Sequence, residues 1–150
     1  MVNGVARLRA QFNKVPNLVL EEIHKVLEKS ARQTVAEMNA LKPWPEIQID
    51  WTWGDVPAGA LSIGTVRGKE YGRVSIKIFA TATSSEFPSG FAALTFWAEF
   101  GTDPRYHKSG KYTGRITAQP YFYPVLRSNE DLLVGRIKRA VNKGMKRANS

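Results

Sequence analysis

Cysteine is absent from this chain of 150 residues, and histidine occurs only twice. The first absence excludes disulfides, thiolate nucleophiles and cysteine-ligated zinc, and it suits a protein made in a reducing cytosol. No apolar run in the sequence approaches the ~18 residues that a transmembrane helix needs. The first four residues show neither the charged region nor the apolar run of a signal peptide. We therefore expect a soluble protein of cytoplasmic origin that does not enter a membrane.

Enzyme motifs are also missing from the sequence. Neither His24 nor His107 has a second residue at metal-ligand spacing, and the chain contains no nucleophile elbow and no phosphate-binding glycine loop. A pair of carboxylates outside helices and simple turns could in principle serve acid–base chemistry, although solvated or ion-paired carboxylates are far more common. The four candidates are Asp50, Asp55, Glu99 and Asp103. We expect no catalytic residues, no metal and no cofactor.

Positive charge, by contrast, is abundant: 22 lysines and arginines against 13 acidic residues give a formal net charge of +9. The excess is concentrated in residues 103–119 and 125–150. A basic patch attracts polyanions, above all nucleic acid. A solvated surface that keeps the protein soluble is an equally good interpretation. The residues predicted to form the basic surface are Arg105, Lys108, Lys111, Arg115, Arg136, Lys138 and Arg139.

The first third of the chain is predicted to be helical. Apolar residues at steps of three and four form one stripe over residues 5–41. Its members are Leu8, Phe12, Val15, Val19, Ile23, Val26, Leu27 and Met38. Because Pro16 lacks an N–H group, we expect the solid helix to cover 16–40, with residues 1–15 as a separate first piece or a flexible arm. Pro43 and Pro45 end this helix.

Alternating apolar residues then predict three strands, over 47–53, 61–65 and 74–79. Residues 67–72 are typical of a hairpin connection and 81–90 of a loop. The pattern favours an antiparallel meander with one face packed on the long helix.

The second half predicts two further helices. Residues 91–100 are apolar on both faces, so periodicity alone does not choose between helix and strand, and Ser89 as a suitable cap favours a short buried helix there. Pro124 suits the first turn of a C-terminal helix that reaches about Arg147. We expect a polar loop at 101–114 and a last strand at 115–119. We also expect residues 81–90 and 103–114 to be mobile in an isolated subunit and to become ordered on assembly. The inner stripe of the last helix is Leu126, Leu133, Ile137, Ala140 and Val141.

Together these elements predict one α+β domain over residues 1–150. It consists of a long N-terminal helix packed on a small antiparallel sheet, with a short helix and a C-terminal helix.

Two motifs stand out. Glu99 lies between Trp97 and Phe100, and burying its carboxylate is costly unless basic side chains or backbone N–H groups donate to it, within the subunit or across a boundary. Further on, Pro120 and Pro124 enclose three aromatic residues with a large apolar surface, of which we expect one or two in the core and at least one at an interface. These are Tyr121, Phe122 and Tyr123. We hypothesise that the two motifs meet and build a wall used in assembly.

The pair of motifs resembles the signature of the tailed-phage neck family, whose members are called head–tail joining, tail-completion or minor tail proteins. The matching residues are Glu99, Phe100, Gly101, Thr102, Ala118, Gln119, Pro120, Tyr121 and Pro124. The predicted order of elements is similar over most of the chain, and the resemblance is specific over 91–126. Tyr121 and Val125 depart from the phenylalanine and alanine that the family often has at these positions.

The resemblance implies a structural virion protein without catalytic residues, made in the host cytoplasm. It implies a homo-oligomeric ring, hexameric by analogy, that contacts head-closure or connector proteins and tail-tube proteins. DNA passes through such a ring, so contacts would be to phosphate and not to bases. Whether the chain is a tail terminator or a head-side joining protein stays open. The alternatives are a basic nucleic-acid-binding module and, least supported, a small metal-dependent hydrolase or nuclease.

Overall fold

A computed structural model of the chain describes residues 2–62, 76–83 and 93–150, apart from the side chains of residues 2–4, 11 and 12. The described residues are a mixture of helix and antiparallel sheet, so the predicted α+β class is confirmed. The helices are α1 (Val2–Leu41), α2 (Ala93–Phe100) and α3 (Tyr123–Ala148). The strands are β1 (Ile47–Thr52), β2 (Leu61–Ser62), β3 (Lys77–Ala82), β4 (Arg105–Tyr106) and β5 (Tyr112–Gly114).

The chain divides into two compact units. The first consists of Met1–Ser30 and Ser128–Ser150, and the second of Ala31–Arg127. Helices α1 and α3 each contribute residues to both units.

In the first unit, α1 and α3 run antiparallel. Arg136 near the start of this part of α3 donates to Ser30 at 3.0 Å, whereas Arg147 near its end donates to Glu22 at 2.7 Å. The helices approach closely at Gly144, where an added Cβ would lie 2.7 Å from the Cα of Val19. A glycine in the middle of a helix lowers helix propensity, and here it permits this contact.

The predicted break at Pro16 is wrong, because α1 is continuous through it. A proline costs a helix one hydrogen bond, to the carbonyl group four residues earlier. Pro16 is exposed, so water can hydrate that carbonyl group and the helix can continue. Residues 5–10 are therefore helical and exposed, where a separate piece or an arm is predicted.

The three-stranded sheet of the second unit has the strand order β1-β3-β2, and both strand pairs are antiparallel. A meander would place β2 between β1 and β3, so the predicted meander is wrong. The central strand β3 places Ala80 opposite both Ile49 and Leu61. It extends to Ala82, which moves residues 81 and 82 from the predicted loop into the sheet. The hairpin predicted at 67–72 and the rest of the loop predicted at 81–90 lie outside the described residues.

The core of the second unit collects residues from six elements or their flanks. Only the last turns of α1 take part, so the prediction that this helix packs on the sheet holds for its end alone. The buried cluster consists of Met38, Ile47, Ile49, Leu61, Ala80, Ala98, Tyr121, Phe122 and Val125. In β1 the alternation of buried Ile47 and Ile49 with exposed Gln48 and Asp50 follows the predicted pattern.

Residues 103–115 form a projecting hairpin where a loop is predicted. Strands β4 and β5 pair antiparallel, and the rings of Tyr106 and Tyr112 lie 5.5 Å apart. The strand predicted at 115–119 is absent from these described residues. Ile116 instead exchanges two hydrogen bonds with Thr102. The Thr102 N–H donates to the Ile116 carbonyl, and the Thr102 hydroxyl accepts from the Ile116 N–H, both at 2.9 Å.

Candidate functional site

The centre of the candidate site is the carboxylate of Glu99, in the last turn of α2. Its side chain is buried, with 3% of its surface exposed. One oxygen, Oε2, accepts hydrogen bonds from the N–H groups of Tyr121 and Phe122, and Oε1 accepts one from the N–H of Tyr123, each at 2.9 Å. Backbone donors are one of the two kinds of partner that the sequence predicts for this carboxylate.

The three donors lie at the start of α3, which begins at Tyr123. The first N–H groups of a helix have no partner within the helix, and the helix dipole makes this end partially positive. Glu99 therefore accepts from the first residue of α3 and from the two residues before it, at the partially positive end of the helix. The hypothesis that the two motifs meet is confirmed.

Gly101 ends α2 and lies against the second motif. Its φ of +73° is in the left-handed region, which suits a glycine at a helix C-terminus. An added Cβ would lie 2.8 Å from the carbonyl oxygen of Ile116 and 2.9 Å from the backbone nitrogen of Ala118. Any other residue here would combine an unfavourable backbone conformation with a clash.

Backbone hydrogen bonds on both sides of Glu99 complete the connection. The N–H of Gln119 donates to the carbonyl of Ala98 at 2.8 Å. On the other side, Thr102 exchanges two hydrogen bonds with Ile116. Glu99, Gly101 and Thr102 thus have separate structural tasks, which explains why these residue types stand together.

Two of the three aromatic residues of the second motif lie in the core, as predicted, and the interface role expected of the third stays a prediction. Tyr121 and Phe122 are fully buried in the core, and the Tyr121 hydroxyl donates to the carbonyl of Thr95 at 3.3 Å. Burial, with a smaller contribution from the Glu99 carboxylate, raises the pKa of Tyr121. Tyr123 is half-buried and its hydroxyl donates to the carbonyl of Ser62 at 3.0 Å. Its pKa is also raised, chiefly by burial.

An apolar surface remains exposed beside this connection. Phe100 has 61% of its surface exposed and Phe96, one turn earlier in α2, has 41%. The ring of Phe100 lies 5.7 Å from that of Tyr123. Phenylalanine side chains on one helix face gain little from folding when they stay in water, and contiguous patches of this kind mark interaction sites. We call Phe96, Phe100 and Tyr123 the aromatic patch.

The predicted basic residues have different surroundings. Those of the projecting hairpin are exposed, as are Lys138 and Arg139 on α3. The guanidinium of Arg105 lies 5.8 Å from the ring centre of Trp97, which is within cation–π range. Arg136 is half-buried and donates to Ser30 at 3.0 Å, so part of its side chain packs inside the first unit, and its place in the basic surface stays a prediction.

A second buried carboxylate, Glu22 in the first unit, is not anticipated by the sequence analysis. It has 4% of its surface exposed and lies within 4 Å of three cations: Arg147 at 2.7 Å, Lys143 at 3.4 Å and Lys25 at 3.6 Å. Burial acts to raise the pKa of Glu22, but hydrogen bonds from Arg147 and Lys143, together with the charges of Lys143 and Lys25, outweigh it and the net shift is downward. Glu22 lies at helical spacing between Val19 and Val26 of the apolar stripe. A glutamate at such a position is the signal from which its burial could have been predicted.

Metal-ligating and membrane-spanning features can be checked in the described ranges. Within residues 2–62, 76–83 and 93–150, no group of three or more His, Asp or Glu side chains could hold a metal ion. The ring of His107 faces the hydroxyl of Ser109 at 3.1 Å in the exposed hairpin. Among the described helices, none is long and apolar enough to cross a membrane.

Comparison with known proteins gives no relative: no family model, curated protein or solved structure matches this chain.

Proposed function

We propose that this chain is a structural, non-enzymatic virion protein of the tailed-phage neck. It acts in tail completion or head–tail joining, as a ring through which DNA passes. The observation that carries the proposal is the set of three hydrogen bonds from the start of α3 to Glu99. These bonds give a physical reason for the pairing of the two motifs, which is the feature that resembles the neck family.

The distribution of polar groups around Glu99 supports a structural role. Both oxygens of its carboxylate accept from backbone donors and only 3% of the residue is exposed, which favours a structural role. Thr102 is likewise bonded on both its N–H and its hydroxyl. What the site offers to a partner is apolar surface, the aromatic patch, and aromatic residues in well-packed surfaces are typical anchors of protein interfaces.

The proposal is tested by deleting the gene from the phage or prophage that carries it. Loss of a neck protein leaves filled heads and free tails side by side, which negative-stain electron microscopy detects. A plasmid that supplies the wild-type chain restores joined particles. Normal joined virions from the deletion strain would overturn the proposal.

A matched pair of variants then tests the aromatic patch. Phe100→Ser removes an exposed anchor, and we expect it to leave the melting temperature of the monomer nearly unchanged. An interface anchor is worth about 2 kcal/mol or more, so association should weaken by roughly 30-fold. Met145→Ser on α3 is the control, because Met145 is also an exposed large apolar residue and lies outside the patch. Equal complementation by both variants would exclude the patch from assembly.

A basic nucleic-acid-binding module is the second candidate, supported by the projecting hairpin. Tyr106 and Tyr112 expose 66% and 53% of their surfaces there, beside four basic residues. Cationic and aromatic side chains together favour nucleic acid. Fluorescence anisotropy with duplex DNA at physiological salt separates the candidates. Affinity tighter than the roughly 10⁻⁶ M limit of non-specific binding, combined with joined virions from the deletion strain, would favour the module.

A further inference from the structure

Two surfaces of the second unit carry opposite charge. The acidic segment, residues 43–62, contains three carboxylates and no lysine or arginine. The basic hairpin, residues 103–115, contains four basic residues and one aspartate. We infer that the basic hairpin of one subunit docks on the acidic segment of the next copy of the chain and thereby closes the ring. This inference rests on the proposed function.

The acidic segment is accessible and has unused bonding capacity. Glu46, Asp50 and Asp55 are all exposed, and within the described residues none of the three forms an ion pair. Strand β1 pairs with β3 along one edge, and no described strand pairs with its other edge. An edge strand presents backbone N–H and C=O groups that can bind another chain.

The basic hairpin has the complementary properties. Apart from half-buried Gly114, residues 103–115 are exposed. No described ion pair involves Lys108, Lys111 or Arg115. Tyr106 and Tyr112, whose rings lie 5.5 Å apart and are tilted to each other, add apolar area with few rotatable bonds. Tyrosine and arginine are enriched in protein interfaces, and lysine is common at their rims.

Ring symmetry requires such a pair of surfaces. Subunits that close a ring head to tail must each carry two different patches that complement one another. The net charges of the two segments are −3 and +3 in a chain of net charge +9, so the acidic segment is an exception to the prevailing sign. Complementary charge steers association and sets register, and like-charged surfaces of a basic protein would otherwise repel.

Charge reversal in the full chain tests the pairing. Lys108→Glu with Lys111→Glu, or Glu46→Lys with Asp55→Lys, should each weaken self-association by about tenfold or more in sedimentation equilibrium, equivalent to roughly 1.4 kcal/mol. All four substitutions together should restore most of the loss. The control for the hairpin variant is Lys138→Glu with Lys146→Glu on α3, which lowers the net charge by the same amount and should leave association unchanged. Unaltered association in both reversed variants would overturn the inference.

Because the chain has no cysteine, engineered pairs report contacts directly. Under mild oxidation, Asp55→Cys with Lys108→Cys should give a ladder of crosslinked species up to the closed ring, whereas each single variant can give dimers at most. If no ladder appears at the highest soluble concentration, the inference is wrong. This test decides the question even if the wild-type chain stays monomeric in the sedimentation experiment. Its failure is distinguishable from failure of the proposed function, because the deletion strain reports head–tail joining without reference to this interface.

Discussion

The two units each bury one glutamate, and they do so by opposite means. In the second unit, Glu99 receives three backbone N–H groups at the start of α3. In the first unit, Glu22 receives the charged ends of Lys25, Lys143 and Arg147. The first arrangement uses fixed donors of the fold, and the second uses long side chains that are themselves 39–68% exposed.

This difference predicts different responses to solution conditions. Fixed backbone donors lose nothing to side-chain entropy and are shielded from salt, whereas exposed lysines and arginines are screened by it. The unit around Glu99 should therefore be the rigid part that presents the aromatic patch. The helix pair around Glu22 should be the part whose stability depends on pH and ionic strength.

The largest effect is expected for Glu99→Ala. The substitution leaves three buried N–H groups without an acceptor, and each unsatisfied donor costs about 1–3 kcal/mol. We expect the free energy of unfolding to fall by about 3 kcal/mol or more. Hydrogen exchange read by mass spectrometry should show faster exchange in peptides covering 93–127.

Glu99→Gln is the matched control for this change, because it keeps the acceptor oxygen of one position and removes the charge. It should recover part of the stability that Glu99→Ala loses. If Glu99→Ala melts like the wild type, the carboxylate does not hold the two motifs together.

A smaller loss is expected for Gly101→Ala. The left-handed conformation costs an alanine about 1–3 kcal/mol, and the contacts at 2.8 and 2.9 Å with backbone atoms add to it. Gly110 is the control: its φ is +81°, but an added Cβ there meets nothing within 4 Å. Thermal melts of Gly101→Ala and Gly110→Ala therefore separate strain from clash. Equal losses would mean that the close approach to Ile116 and Ala118 contributes nothing.

How much of this the sequence predicts depends on the range of the interactions. Helices α1 and α3 and strand β1 follow from local spacing of apolar residues, whereas α2 is favoured only by the cap at Ser89. The two motifs show that Glu99 needs donors. The order β1-β3-β2 does not follow from local spacing, because β1 and β3 pair across a long separation. Strands β4 and β5 are missed because a short exposed hairpin has no buried face and hence no alternation of apolar residues.

The Glu22 cluster escapes prediction for a related reason. Its partners Lys143 and Arg147 lie in the last helix, and nothing local in α1 indicates which residues of α3 they face. That alignment depends on the antiparallel offset of α1 and α3, where Gly144 meets Val19. By contrast, the donors for Glu99 follow once α3 is known to begin at Tyr123, since every helix start offers free N–H groups.

Gly144→Ala tests the helix pair in the same way as Gly101→Ala tests the other unit. Overpacking costs about 1–3 kcal/mol, and the better helix propensity of alanine returns up to about 1 kcal/mol. The net loss should therefore be smaller than for Gly101→Ala. Gly135→Ala is the control, because its added Cβ would meet only the end of the Arg139 side chain at 3.7 Å, and it should stabilise the helix. Stabilisation by both substitutions would show that the helices do not approach closely at Gly144.

The smallest and most conditional effect is expected for Glu22→Gln. Because the folded-state pKa of Glu22 is lowered from 4.5, its charge stabilises the first unit above about pH 4.5, and this contribution is lost as the pH falls through the folded-state pKa. The wild type should therefore lose protection from hydrogen exchange in 17–30 and 136–148 as the pH drops below that value, after correction for the intrinsic pH dependence of exchange. Glu22→Gln should be less protected near neutral pH and should lack this acid-dependent step.

High salt should reproduce part of the loss in the wild type and little in the variant, while peptides around Glu99 stay unaffected by salt. A salt response in the Glu99 peptides equal to that of the Glu22 peptides would remove the distinction between the two units, since fixed backbone donors and exposed side-chain cations would then behave alike.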